Sequence, residues 1–536
     1  MAFARTCSVA LVGVEGVPVE VQADLEPGVA TFTLIGLPDK SLVESRDRVR
    51  AAVVNSGVDW PQRKLTVGLS PASVPKSGSG FDIAVASAVL GAAERIDPRR
   101  LSGVMMIGEL GLDGRVRPVR GVLPAVLAAA DAGYRRVIVP EQTAAEARLV
   151  PGVDVLGVRT LRQLIAVLAG EPEPEEPADE AGGGPDLTSP GLALPGTALA
   201  GSARTGVRPA DLAEVAGQAA ARRALEVAAA GRHHLFLKGP PGAGKTMLAE
   251  RLPGLLPPLT PQESLEATAV HSVAGALPPG QPLVSRAPYC APHHSASMAS
   301  LVGGGTGLPR PGAVSMAHHG VLFLDEAAEC SGRVLDALRQ PLESGQVVVA
   351  RAQGMMRMPA RILLVLAANP CPCGRHGTPA GGCECRPSSV RRYRARLSGP
   401  LLDRVDLRVT VEPVARAELL ATGRNAEDSA TVAARVLAAR ERAAARYADT
   451  PWQTNSEVPG HELRTRWQVT PGALVRAEAD MERGLLTARG LDRVLRVAWT
   501  VADLAGHGRP HTEDVDCALQ LRTGVSRGAR STGVPA

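Results

Sequence analysis

Three residue classes are scarce in this 536-residue chain: aromatics (2%), lysine (five residues against 54 arginines) and cysteine (eight). Long apolar runs are missing altogether. None reaches the ~18–20 residues a membrane helix needs, and the longest, such as Ile362–Ala368, are strand-sized. Eight cysteines in a chain of this length do not make a disulfide scaffold. An excess of Ala and Arg beside so few lysines and aromatics is the mark of a GC-rich genome. The formal charge of +5 is therefore weak evidence for nucleic acid. At the amino terminus Ser8–Val14 is apolar, but Glu15, Glu20 and Asp24 follow with no cleavage-site pattern, so no signal peptide and a cytoplasmic location are expected. What is present is a globular balance, 45% hydrophobic and 21% charged residues, at a length suited to about three domains.

Acidic charge concentrates in Glu171–Glu180, which carries six acids and no base, and the remainder is correspondingly more basic. Residues 1–170 show strand-like stretches at Val9–Val14, Val17–Ala23 and Ala30–Leu34, then a helical pattern at Ser41–Asn55 and an apolar helix at Phe81–Ala93. They read as an α/β or α+β domain. Residues 171–207, rich in Pro, Glu, Gly and Ala, read as a flexible linker. From 208 to 415 strands and helices alternate: a helix over Leu212–Ala230, then buried strands at Leu235–Lys238, Val321–Leu324 and Ile362–Ala367. Such a pattern implies a parallel sheet covered on both faces. Residues 416–524 read as helices at Ser429–Tyr447, Ala473–Glu482 and Arg489–Leu504, the last with the stripe Leu491, Val494, Leu495, Ala498 and Val501. Residues 525–536 are expected to be a disordered tail.

The strongest chemical signal is Gly239-Pro240-Pro241-Gly242-Ala243-Gly244-Lys245-Thr246, a G-x-x-x-x-G-K-[ST] sequence between an apolar strand and a helix. Its glycines let backbone N–H groups face phosphates, and the following helix start adds positive potential. Lys245 is expected at the β/γ-phosphates of ATP and the Thr246 hydroxyl on Mg²⁺. Val321-Leu322-Phe323-Leu324-Asp325-Glu326 places two acids at the carboxyl end of a buried strand, where open α/β sheets bind ligands. Asp325 suits the Mg²⁺ shell and Glu326 the base that orients attacking water. Asn369, ending the next strand, can orient the same water; the bland reading is a turn Asn before Pro370.

These motifs look like an AAA+ ATPase. Gly217-Gln218, Ala291-Pro292-His293-His294, Leu301-Val302-Gly303-Gly304-Gly305, Asn369-Pro370-Cys371-Pro372-Cys373-Gly374 and Ser398-Gly399-Pro400-Leu401-Leu402-Asp403-Arg404-Val405-Asp406 narrow it. In this wording the chain resembles the magnesium-chelatase-like YifB/ComM family over nearly its whole length. The resemblance implies an α/β fold: an AAA+ P-loop core with a C-terminal helical lid. It also implies that Arg404 is an arginine finger serving a neighbouring subunit's nucleotide, hence a homo-oligomeric ring, most simply a hexamer. Arg489, in Thr487-Ala488-Arg489, resembles the sensor-2 position, with Arg493 and Arg496 one and two turns on. The first block resembles the Lon-protease C-terminal domain of ribosomal-S5-like fold, through Gly108–Arg115 and Val137–Pro140. Lon-type proteolysis needs a Ser–Lys pair. The family's nucleophile position falls on Gly80, beside Ser79, and its lysine position on Leu123, so no protease activity is expected.

Cys371, Cys373, Cys383 and Cys385 bracket a Gly- and Pro-rich loop. Four thiolates there suit a structural Zn²⁺, with His376 able to replace one; the alternative is four reduced, unliganded thiols. Arg386, Arg391, Arg392, Arg394 and Arg396, with Tyr393 among them, can meet phosphates, line a subunit interface or be a solvated helix face. By family analogy Gly303–Gly305 and Val347–Met358, with Arg351 and Arg357, line a central pore. The paired histidines His293/His294 and His318/His319 are expected to be structural or inter-subunit groups. Three functions compete. One is a DNA-dependent ring motor, a helicase or branch-migration enzyme of recombination or transformation. Another is a chelatase-type ATPase driving metal insertion into a tetrapyrrole. The third is a non-translocating protein remodeller. Family wording and the Lon-like first block favour the first.

Overall fold

The computed structural model describes residues 2–76, 78–174, 197–198, 210–278, 280–305, 310–351, 354–377, 381–415, 418 and 427–524. The linker expected at 171–207 lies outside them but for 171–174 and 197–198, and the tail at 525–536 lies outside them entirely.

Period-two burial builds the first sheet. Strands β1 (Ala2–Val12) and β2 (Glu15–Glu26) pair antiparallel, and β2 turns Val19, Val21, Ala23 and Leu25 inward. Next come β3 (Thr31–Ile35), β4 (Lys64–Ser70), β5 (Val104–Met106), the small hairpin β6 (Glu109–Leu110) and β7 (Val116–Arg117), β8 (Arg136–Pro140) and β9 (Asp154–Val158). The seven-stranded order is β3-β4-β2-β1-β5-β8-β9, with only the β1–β2 and β2–β4 pairings antiparallel. The helix Asp82–Ala92 is buried at every residue, which is why its sequence is apolar all round. Its one acid, Asp82, is fully partnered: it accepts from Ser45 Oγ (2.5 Å), from Arg48 Nε (2.8 Å) and from the Leu110 N–H (3.1 Å).

The second sheet joins β10 (Thr197–Ala198), β11 (Leu235–Lys238), β12 (Tyr289–Cys290), β15 (Val321–Leu324), β18 (Leu363–Ala368) and β19 (Leu407–Thr410). Two separate pairs lie between, β13 (Gly303–Gly304) with β14 (Arg310–Pro311) and β16 (Gln346–Arg351) with β17 (Gly354–Pro359). The order is β10-β12-β15-β18-β11-β19, parallel from β12 to β19. The strand–loop–helix alternation thus produces the expected mixed α/β fold with a parallel sheet. Burial on both faces accounts for the continuous apolar runs of β15 and β18.

One expected element is broken. In place of a helix over Leu212–Ala230 there is a 3₁₀ turn, Leu212–Glu214, then a helix at Ala219–Gly231. Gly217 and Gln218 between them sit at φ +58° and +53°, left-handed values that no helix continues through. The carboxyl-terminal helices are Ser429–Arg446, Gly460–Thr465, Val475–Glu482, Ala488–Ala505 and Thr512–Thr523. The stripe Leu491, Val494, Leu495, Ala498 and Val501 joins Leu225, Leu235, Val365 and Val409 in one core, so this bundle and the parallel sheet are a single packed unit. Among the described residues no helix is long and apolar enough to cross a membrane.

The first domain docks on the second through the helices Val122–Asp131 and Pro261–Ala274. Ala269 enters the apolar cluster of Val122, Leu123 and Val126. Glu146 bridges the joint, accepting from the Leu123 N–H (2.7 Å) and from Ser272 Oγ (2.5 Å). Burial raises the Glu146 pKa, against these two donors.

Candidate nucleotide site

The P-loop follows β11, and its turns need glycine: Gly242 and Gly244 sit at φ +75° and +89°. Lys245, at the start of the helix Lys245–Arg251, is buried and all its donors are engaged. Its Nζ donates to the carbonyls of Gly239 and Pro240 (2.8 Å each) and to Asn369 Oδ1 (3.1 Å). Burial lowers its pKa, while Asp325 and Glu326 pull the other way. The side chain of Asn369 is thus brought onto the Lys245 ammonium.

Thr246 Oγ1 donates to Asp325 Oδ2 at 2.6 Å. A hydroxyl and a carboxylate meeting at the ends of two adjoining elements form the hard oxygen pair that Mg²⁺ prefers. The Glu326 N–H donates to Asp325 Oδ1 (2.8 Å), and the Ala327 N–H to Ala367 O (2.8 Å). These bonds hold the acidic turn against β18. Glu326 itself is left-handed, φ +49°, a costly conformation for a residue with a Cβ.

Two sets of contacts were not foreseen. His294 Nδ1 lies 2.9 Å from Glu326 Oε2, a contact between segments thirty-two residues apart that no local pattern announces. Gln218 Nε2 donates to Ala243 O (3.2 Å) and Glu412 O (2.5 Å), tying the P-loop to the chain leaving β19. The other histidine pair, expected to be structural or inter-subunit, is bonded within the chain. His318 accepts the Arg361 N–H on Nδ1 (3.0 Å), and His319 Nε2 is 2.8 Å from Glu266 Oε2.

Arg404 and Arg489 lie elsewhere. In the parallel register Leu235 faces Leu407 and Lys238 faces Thr410. Arg404 therefore precedes the amino end of β19, while the P-loop follows the carboxyl end of β11. Arg404 donates to Pro400 O (2.7 Å) and pairs with Glu343. Arg489, 82% exposed, is 4.0 Å from Asp403 on the same edge. Arg493 pairs with buried Asp406, and Arg496 donates to Val458 O (2.7 Å). In the helix Pro387–Ala395, Tyr393 is buried, Arg394 donates to Pro370 O (3.2 Å), and Arg391 and Arg392 are exposed. The segment Val347–Met358 is the β16–β17 hairpin, with Met356 and Met358 inward and Arg357 exposed; the side chain of Arg351 lies outside the described residues.

In the first domain Leu123 is buried at the joint. Ser79 Oγ donates to the Glu109 carboxylate, and Lys76 Nζ to the Pro71 carbonyl.

The family described as "Magnesium chelatase, subunit ChlI" matches residues 211–419, "Subunit ChlI of Mg-chelatase" residues 21–143, and "Magnesium chelatase, subunit ChlI C-terminal" residues 426–522. An uncharacterised protein of Mycobacterium tuberculosis is 52% identical over 98% of this chain and 100% of its own length. Competence protein ComM of Haemophilus influenzae is 39% identical over 94% of both chains, and YifB of Escherichia coli 38% over 92% of both. Lon protease of Roseiflexus castenholzii is 35% identical over 24% of this chain and 17% of its own. A chelatase-subunit description thus reaches the first block too, so that block does not by itself separate the motor from the chelatase reading.

Proposed function

Because the chain belongs to the magnesium-chelatase-like AAA+ family that includes ComM and YifB, we propose that it is an ATP-hydrolysing ring motor acting on single-stranded or branched DNA in recombination or transformation. The observation that carries the reading is the convergence of two hydrogen-bonded pairs, Lys245 with Asn369 and Thr246 with Asp325, at the carboxyl ends of β11, β15 and β18. Lys245 exchanges the loop carbonyls for β/γ-phosphate oxygens, and Asn369 keeps its ammonium aligned. Thr246 and Asp325 hold Mg²⁺, which supplies charge neutralisation at those phosphates. Glu326 accepts a proton from the attacking water once it leaves His294; until then the histidine keeps the base turned aside.

Arg404 and Arg489 sit on the edge away from the chain's own P-loop, so their nucleotide is a neighbour's. A head-to-tail contact whose rotation closes forms a ring, and a hexamer is the proposed state. In the ring the C-terminal bundle serves as the AAA+ lid. The first domain is an S5-like, Lon-related module without proteolytic chemistry, since Gly80 and Leu123 offer neither nucleophile nor amine. The β16–β17 hairpin, with Arg351 and Arg357, is assigned to the central channel, where its cations follow the phosphate backbone. The four cysteines are assigned a structural Zn²⁺, and the cytoplasm is the assigned location.

The 39% identity to ComM over 94% of both chains supports the DNA reading over metal insertion and over protein remodelling. ATPase rates without DNA and with single strands, duplex and branched junctions test it, beside strand displacement. Stimulation by branched DNA is expected; equal rates in all four conditions would reject it.

A further inference from the structure

The sulfurs of Cys371, Cys373, Cys383 and Cys385 lie close enough together to share one metal ion. Cys371 Sγ is 3.3 Å from Cys373 Sγ and 3.8 Å from Cys383 Sγ, with 3.7 Å between Cys373 and Cys383. All four lie within 4.8 Å of one another, and none is in a disulfide. Sulfurs around Zn²⁺ at ~2.3 Å are ~3.8 Å apart. The His376 N–H donates to Cys371 Sγ (3.3 Å), a bond that favours a thiolate.

The position of this group matters more than its composition. Cys371 leaves β18 two residues after Asn369, the partner of Lys245. The Gly374 N–H closes a turn on Cys371 O (2.9 Å), and Gly374 has φ +77°. A Cβ on Gly374 would lie only 2.3 Å from Pro241 Cδ, so the backbone of the cysteine turn presses directly on the phosphate-binding loop. On the far side, Cys385 is followed by the helix Pro387–Ala395, whose Arg394 reaches back to Pro370 O.

We infer that a Zn²⁺ held by these four cysteines braces the P-loop through the Gly374–Pro241 contact, so that metal occupancy sets nucleotide affinity. The inference rests on the nucleotide reading above. The turn at Cys371–Gly374 has little apolar core of its own: Cys371 is buried, but Cys373 is exposed and Cys383 and Cys385 are half-exposed. Metal ligation is what fixes such a segment. Once it loosens, Pro241 loses the surface it leans on, and ordering the loop around phosphate costs more.

The test uses the full chain purified under reducing conditions. Metal is counted by mass spectrometry, and affinity for a fluorescent ATP analogue is titrated. One Zn²⁺ per chain is expected. Cys373→Ser with Cys385→Ser should abolish it and weaken nucleotide binding by about tenfold or more. Gly374→Ala, whose Cβ meets Pro241 and is strained at φ +77°, should keep the zinc yet weaken nucleotide binding; retained zinc together with a near-wild-type urea midpoint separates the brace from a general loss of folding. A chain with no zinc and no zinc uptake, or with the visible absorbance of an iron–sulfur cluster, overturns the metal assignment. Unchanged nucleotide affinity in the zinc-free variant or in Gly374→Ala overturns the brace. A wild-type chain that carries zinc and binds no ATP overturns the nucleotide reading, and the brace with it, while leaving the metal site standing.

Discussion

Arg489 and Arg493 lie one turn apart on the same helix, yet their substitutions should fail in opposite ways. Asp406 is 2% exposed and accepts the His234 N–H at 3.1 Å. Burial raises its carboxyl pKa, but the Arg493 charge and His233 overcome this and hold it well below the ordinary carboxylate range. Arg493→Met leaves that carboxylate buried and without its main countercharge. Breaking such a pair costs ~3–5 kcal/mol, and because the Arg493 side chain keeps 18% exposure, the lower end, about 3 kcal/mol, applies. Removing both charges, Asp406→Leu with Arg493→Met, should cost less than Arg493→Met alone. Arg489→Ala, at a largely exposed site, should move stability by no more than about 0.5 kcal/mol while cutting ATP turnover. Urea unfolding followed by tryptophan fluorescence suits the question, since Trp452, Trp467 and Trp499 all belong to the C-terminal bundle or its approach and only Trp60 lies in the first domain. Unchanged stability of Arg493→Met together with collapsed turnover would refute the reasoning and move the sensor role to Arg493.

Acid should destabilise the fold through histidines whose pKa folding lowers, His234 and His271 among them. His234 accepts the Leu364 N–H on Nδ1 (3.1 Å), His271 is bonded to Met316 O (3.0 Å), and burial lowers both pKa values to about 4. The unfolded chain protonates first, so stability present above pH ~6.5 is lost between pH ~6.5 and ~4, by about 3 kcal/mol per histidine; unfolding midpoints across that range check it. Lys245→Ala should weaken ATP binding itself, whereas Glu326→Gln should bind ATP and stall turnover by two orders of magnitude or so; a parental rate in Glu326→Gln would remove it as the base. Peptide cleavage by the first domain should be absent, and ATP-dependent degradation abolished by Ser79→Ala would contradict that.

The reach of the sequence differed sharply between parts of the site. The P-loop and the Asp325-Glu326 turn were legible because their residues are contiguous and their flanking elements have strand and helix periodicity. Asn369 was legible as a residue ending an apolar strand, though only the structure shows its bond to Lys245. His294 and Gln218 were legible only as family wording; their partners Glu326 and Glu412 were not, because they lie at separations where spacing carries no information. The break at Gly217–Gln218 hides inside an Ala-rich helical run, where two left-handed residues, with Gln218 bonded to Ala243 O and Glu412 O, override propensity. The β16–β17 hairpin was seen only as a segment, since its inward Met356 and Met358 satisfy any amphipathic pattern. Arg404 came from resemblance alone; its placement at the amino end of β19 is a property of the parallel register.

Mixing subunits measures most directly whether the site is shared between neighbours. Lys245→Ala and Arg404→Ala chains, each inactive alone, are combined in equal amounts and their mixed assembly confirmed by mass. In a head-to-tail ring about a quarter of the interfaces then pair an intact P-loop with an intact arginine, and ATPase activity should return to about that fraction of wild type. No recovery in confirmed mixed rings would contradict action between subunits, and full activity of Arg404→Ala alone would remove the arginine from the mechanism.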